Sequence, residues 1–221
     1  MVAFLQGKDA DRRIQGKGIR MARPKARKVD SKTLIVEKAT DLFYRHGFVK
    51  ASIRDIVRAV GVTNSTVYIH FKSKDEILYH IIDEIGSLLL RELSLVMDEY
   101  EDPVECLRRM ILRQVCLIKE KRREIKIYME EHYQLPTDLR KKALKQHRHV
   151  YDIYYQKILE VQGKGLLRNL NPTVMTFGIF AMMNWAHRWY RESGELSIEK
   201  VAAEIVEIFF SGIFKGGALP S

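Results

Sequence analysis

The sequence predicts an all-α protein of about nine helices in two domains. Three observations predict it. Apolar residues recur at helical spacing through almost everything after Asp30. Capping residues and glycines punctuate that pattern at sensible intervals. No stretch alternates apolar and polar as a half-buried strand must, and no internal repeat appears.

Asp30 or Ser31 can cap the first helix, whose inward positions are Leu34, Ile35, Ala39, Leu42 and Phe43, with Gly47 as its stop. Ser52 caps a short second helix with Ile53, Ile56, Val57 and Val60 inward and Gly61 at its end. Thr63 opens a third short helix reaching about His70, in which Val67, Ile69 and Phe71 are expected in the core. Ser73-Lys74-Asp75-Glu76 has the spacing of a capping box and starts a long fourth helix along Ile77, Ile81, Ile85, Leu89 and Leu93. Pro103 starts a fifth. The segment 119–131 is helical and charge-rich. Leu135-Pro136-Thr137 separates it from a long helix over 138–160, closed by Gly163 and Gly165. Asn171-Pro172 opens a helix to about Arg191, where the missing proline N–H costs nothing. Ser197 caps the last helix, over 198–211, and Lys200 leaves its capping box incomplete.

With 221 residues, 46% of them hydrophobic, the chain can bury a substantial core. No apolar run reaches a membrane-spanning length, and no secretory leader pattern opens the chain. A cytoplasmic protein without a membrane partner is expected. The two cysteines, Cys106 and Cys116, lie about 15 Å apart along one helix and cannot pair there. The charge is uneven. Residues 1–75 carry 17 Lys/Arg against 7 Asp/Glu, whereas the remainder carries 21 of each. The whole excess lies in the first third, which points to a polyanion partner there, nucleic acid before membrane. Residues 1–29 read as a flexible basic arm, with Met21 as a second possible start. The helix-turn-helix occupies 30–77 and a larger helical domain 78–221.

The segment from Ser52 to Lys74 carries the most specific pattern. Two short helices meet at Gly61, whose freedom at positive φ suits the turn, with Val62 filling the angle between them. This is a helix-turn-helix, whose second helix enters a major groove. Thr63, Asn64, Ser65 and Thr66 are short and polar, so they let that helix approach base edges and still form hydrogen bonds. Tyr68, His70 and Lys74 follow as candidate backbone contacts, and Ser52 and Arg54 open the helix that crosses the phosphates.

From Leu34 to Leu78 the sequence resembles the TetR family of bacterial transcriptional repressors. The resemblance rests on Ala39, Phe43, Gly47 and Phe48, on Ser52-x3-Ile56-x2-Ala59-x-Gly61-Val62, and on Tyr68-x2-Phe71-x2-Lys74-x2-Ile77-Leu78. Ser65 departs from it, standing where the family usually has glycine, and this bears on which bases are read. The resemblance implies an N-terminal DNA-binding domain and a variable helical domain that dimerises and binds a small effector. It also implies a repressor that leaves a palindromic double-stranded operator when the effector binds. No cofactor and no enzymatic activity are expected.

Asn184-Trp185-x3-Trp189-Tyr190-Arg191 resembles a subgroup of that family that senses acyl-CoA thioesters. On that basis Tyr128, Tyr154, Met182, Trp185, Arg188 and Trp189 are candidate ligand contacts. Flat or adaptable apolar side chains suit an acyl chain, and Arg188 and Arg191 suit phosphates. Trp185 and Trp189 could equally pack the core or a subunit interface. Three other readings stay open: a regulator sensing an unrelated lipophilic or aromatic ligand, a non-specific architectural DNA binder, and an enzyme on the same scaffold. The last lacks a visible nucleophile–base pair. Glu130, Glu131, His132, His147 and His149 read as a charged helix surface, since residues 147 and 149 point to different sides of one helix.

Overall fold

The computed structural model describes residues 30–213. The basic arm expected over residues 1–29, with the DNA contacts that Arg23 to Lys28 would add, lies outside the described residues. The described residues form nine α-helices, one 3-10 turn and no strand. The helices are α1 (Ser31–His46), α2 (Ile53–Val60), α3 (Asn64–His70), α4 (Lys74–Glu99), α5 (Pro103–Glu120), α6 (Arg122–Glu130), α7 (Thr137–Gly163), α8 (Pro172–Trp189) and α9 (Ile198–Ile213). The turn, His132–Gln134, lies between α6 and α7. Among the described residues no helix is long and apolar enough to cross a membrane.

Local chemistry sets most of these boundaries. Ser52 and Asp55 form a complete capping box at α2: Ser52 Oγ accepts the Asp55 N–H and Asp55 Oδ2 accepts the Ser52 N–H. Gly61 ends α2 at φ 75°, in the left-handed region that a side chain would strain. Thr63, Ser73, Asp102 and Asn171 cap α3, α4, α5 and α8 through their side-chain oxygens. At α4 only half of the expected box forms. Ser73 Oγ accepts the Glu76 N–H, but Glu76 Oε2 reaches back to the Lys72 N–H at 2.7 Å. The charged segment over 119–131 is two pieces rather than one: α5 stops at Glu120, and Lys121 leaves helical geometry at φ −131° and ψ 39° before α6 begins. No proline or glycine marks that break in the sequence.

Helices α1 to α3 and the start of α4 share one core, in which Ile35, Phe43, Ile56, Val67 and Phe71 are buried. Ile69 does not join them. It is 78% exposed, because α3 has only seven residues and its inward face is filled by Val67 and Phe71. Helix α4 runs without interruption from this core into the second domain, so the boundary expected near residues 77–78 falls inside a continuous helix. There α4 packs on α7 and α5 on α9. Gly86 leaves room for the Gln146 side chain of α7, since a Cβ on it would collide with the Gln146 amide. Gln146 Nε2 donates to Asp83 Oδ1 across the same contact.

The two domains also touch through α6. Lys126 Nζ donates to the Tyr44 carbonyl, Arg122 Nε to the Tyr44 hydroxyl, and Arg123 pairs with Asp41 at 3.7 Å. Helix α6 therefore borders both the core formed by α1 to α3 and the interior of the larger domain.

Candidate DNA-reading helix and effector cavity

Helices α2 and α3 carry the expected reading residues outward. Arg54, Asn64, Ser65 and Tyr68 are exposed, Tyr68 at 52%, and Thr66 and His70 are half-buried. Ser52 and Thr63 are exposed too, but their hydroxyls are committed to capping. Thr63 Oγ1 also meets Ser65 Oγ at 2.7 Å and Thr66 Oγ1 at 2.9 Å, so three hydroxyls share one small network at the start of α3. Hydrogen bonds donated by the Ser52 hydroxyl and, second, by the Ser52 backbone N–H hold the Asp55 carboxyl below its ordinary range.

Lys74 is placed differently from the free phosphate contact that its position suggests. Its Nζ donates to the Phe48 and Ala51 carbonyls, both at 2.8 Å, and stands 4.1 Å from the centre of the Phe48 ring. Two of its three N–H donors are thus used inside the chain.

The larger domain encloses a cavity of about 740 Å³, walled by side chains of α4 to α8 and the turn after α6. The wall is mainly apolar and aromatic, with Leu89, Ile118, Tyr128, Tyr151, Phe180 and Met183 among its members. Of the six candidate ligand contacts, Tyr128, Trp185 and Arg188 lie on this wall. The other three lie elsewhere. Tyr154 is fully buried one layer behind, its hydroxyl donating to Gln114 Oε1, which does face the cavity. Met182 packs half-buried against the core, and its neighbour Met183 takes the inward position. Trp189 is 47% exposed at the end of α8, off the wall.

The pair Glu130 and His132 belongs to the wall too, with His147, and not to a solvated helix surface. His147 stacks on Tyr128 with ring centres 4.1 Å apart, and His132 lies 4.8 Å from His147. Burial pushes the Tyr128 phenol up and both imidazoles down, His147 to about 4 with His132 adding to the effect. These rings are neutral near pH 7. The i, i+4 spacing of Tyr128 and His132 was the available signal for them. Phe177, Phe180 and Met183 gave none that separates a cavity wall from a core. Among the described residues no group of three or more His, Cys, Asp or Glu is arranged to hold a metal ion.

At the cavity mouth Glu130 Oε1 pairs with His187 Nε2 and with Arg188 Nη2, both at 3.1 Å. The other His187 nitrogen meets the Asn184 carbonyl. Beyond this mouth lies a smaller cleft of about 330 Å³, bordered by Tyr44, Arg122, Lys126, Arg188 and Arg191. It is cationic, and through Tyr44 it reaches the DNA-reading domain. The apolar chamber and the basic cleft thus share Glu130, His187 and Arg188 as a common wall.

Comparison with known proteins agrees with this architecture. Residues 35–81 match the family model described as bacterial regulatory proteins, tetR family. Residues 100–213 match the model of a tetracyclin repressor-like C-terminal domain. The HTH-type transcriptional repressor KstR2 of Mycobacterium tuberculosis (strain ATCC 25618 / H37Rv) is 25% identical over 189 residues, covering 83% of this chain and 92% of that protein. A crystal structure of AibR in complex with isovaleryl coenzyme A and operator DNA superposes with a TM-score of 0.76 at 26% identity, over 81% of this chain and 97% of that one. The KstR2 structure shares the fold, with a TM-score of 0.78 at 21% identity over 85% and 96% of the two chains. The chain belongs to the tetR family of bacterial regulatory proteins and is a helix-turn-helix, DNA-binding transcriptional regulator.

Proposed function

We propose that this protein is a homodimeric repressor that leaves a palindromic operator when an acyl-CoA thioester binds. One observation carries the reading: the apolar cavity adjoins, across Glu130, His187 and Arg188, a cleft bearing Arg122, Lys126 and Arg191. An effector that fits both spaces has an apolar tail and a multiply anionic head. The cavity volume lies in the range of ordinary small-molecule sites. Guanidinium groups suit phosphates through paired N–H donors. The AibR structure with isovaleryl coenzyme A supports the same class of ligand.

Thr63, Asn64, Ser65, Thr66 and Tyr68 meet the bases and backbone of one major groove, with Ser52, Arg54 and His70 on flanking phosphates. One such unit reads few bases, and a two-fold pair reads a palindrome. A second copy covers the apolar side chains left exposed on α8 and α9, Val174, Trp189 and Ile208. The protein acts where the chromosome is, in the cytoplasm. The thioester binds better to the pose in which the two reading helices are wrongly spaced, and by linkage it weakens operator binding.

Fluorescence anisotropy tests this. An operator fragment selected from genomic DNA is titrated with protein in the presence of acyl-CoA thioesters, free CoA or free fatty acids. Release by thioesters alone is expected. Release by none of them, or by an uncharged aromatic compound instead, contradicts the acyl-CoA reading.

A further inference from the structure

The connection between α1 and α2 is gripped by two opposite charges. Glu131 Oε1 accepts the Phe48 N–H at 3.2 Å, and Lys74 Nζ donates to the Phe48 and Ala51 carbonyls. The Phe48 ring is buried edge-on against Phe43, with centres 5.2 Å apart. Ser52, the next residue along, caps α2. The direction of α2, and of α3 beyond it, therefore follows from where residues 48–51 sit.

The two charges come from different places. Lys74 belongs to the first turn of α4. Glu131 is the residue that ends α6, its N–H donating to the Ile127 carbonyl. Its chain neighbour Glu130 points the other way, to His187 and Arg188 at the cavity mouth. Two adjacent carboxylates at one helix end thus hold, respectively, the effector cavity and the DNA-reading domain. No other described side chain is bonded to the Phe48 N–H.

We infer that Glu131 and Lys74 are positioning residues that set the pose of α2 and α3, and that Glu131 passes the state of the cavity mouth to that pose. The inference rests on the effector reading above for its second half only. An anion entering the basic cleft competes with Glu130 for Arg188 and repels the freed carboxylate. Residues 130 and 131 share a peptide link, so the end of α6 moves with both side chains, and the Phe48 N–H loses or follows its acceptor. Lys74 keeps its grip on the carbonyls from the α4 side, and the connection tilts between the two.

The test compares Glu131→Ala, Glu131→Gln and Lys74→Gln with the unaltered protein. Operator affinity is measured by anisotropy across a salt series, with and without octanoyl-CoA, and a thermal melt accompanies each variant. Glu131→Ala is expected to weaken operator binding about tenfold at an unchanged salt slope, because no phosphate contact is removed. It should leave octanoyl-CoA affinity in the absence of DNA within about twofold and abolish most of the thioester's effect on operator binding. Glu131→Gln, whose amide oxygen accepts the same N–H, should behave like the unaltered protein. Lys74→Gln should also weaken binding at unchanged slope. If Glu131→Ala melts early, Glu131→Asp takes its place. Operator affinity and thioester response unchanged in Glu131→Ala overturn the inference, as does a salt slope reduced by about one in Lys74→Gln. Should the unaltered protein ignore octanoyl-CoA while Glu131→Ala still loses operator affinity, the positioning role holds and the thioester reading falls.

Discussion

The DNA-reading domain displays its working side chains outward from two short helices, whereas the larger domain gathers its own inward from five helices and a turn. In the first, each candidate residue is placed by rules acting within a few positions: a capping serine, a glycine at positive φ, a buried valine that turns the opposite face outward. In the second, Leu89, Ile118, Tyr128, Phe180 and Trp185 meet only because the bundle brings distant turns together. Local placement resists substitution elsewhere. A wall assembled from many elements responds to any of them, which suits the effector response proposed above.

This contrast can be broken or sharpened by substitution. The largest expected effect is in the reading core. Phe43→Ala removes a ring that is 1% exposed and should cost about 3–5 kcal/mol of stability in denaturant unfolding. Because α4 joins both cores, the loss should appear as one transition; a separate early transition of the reading domain would break the comparison in the direction of two independent units.

The next effect belongs to the cavity wall and concerns acidity. The folded pKa of His147 is depressed to about 4, below its unfolded value, so between those values the unfolded chain binds more protons. Stability is therefore present at neutral pH and lost as pH falls from about 6.5 towards 4, by up to about 3 kcal/mol from this one residue. His147→Phe should flatten that part of the pH–stability curve, and a curve left unchanged would place the imidazole in solvent.

Trp185→Ala comes third. Trp185 is 58% exposed although it borders the cavity, so thermal stability should barely move while thioester affinity drops about tenfold. A fall in dimer affinity without a fall in thioester affinity would assign this ring to the subunit interface. The smallest effect is Ser52→Ala, which removes the hydroxyl that accepts the Asp55 N–H and donates to Asp55 Oδ2 and should cost about 1 kcal/mol in a melt. The same substitution takes from Asp55 the stronger of the two Ser52 hydrogen bonds that lower its pKa and leaves the one from the Ser52 N–H. It should therefore lessen the stability lost as pH falls through the lowered Asp55 value.

The same contrast explains what the sequence discloses. Caps, the Gly61 turn and the helical stripe make the helix-turn-helix readable, because each is encoded within four or five residues. Ile69 misleads, since in so short a helix a one-residue rotation separates core from surface, and its neighbours fill the inward side. In the larger domain the aromatic sequence around Trp185 signals a ligand site, yet cannot separate Met183 on the wall from Met182 beside it. Tyr154 shares the chemistry of Tyr128 but lies one layer deeper. Glu131 reads as surface charge because its partner, the Phe48 N–H, is 83 residues away. Pairings at that range come from how helices cross, and crossing is not written in any local pattern.

The central claim is that one equilibrium links the filled cavity to the pose of the reading helix, and reciprocity tests it most directly. Octanoyl-CoA affinity is measured calorimetrically for the free protein and for the protein saturated with operator. The account predicts that operator weakens thioester binding by the same factor, on the order of 5- to 150-fold, by which the thioester weakens operator binding. Equal thioester affinity with and without operator would contradict it.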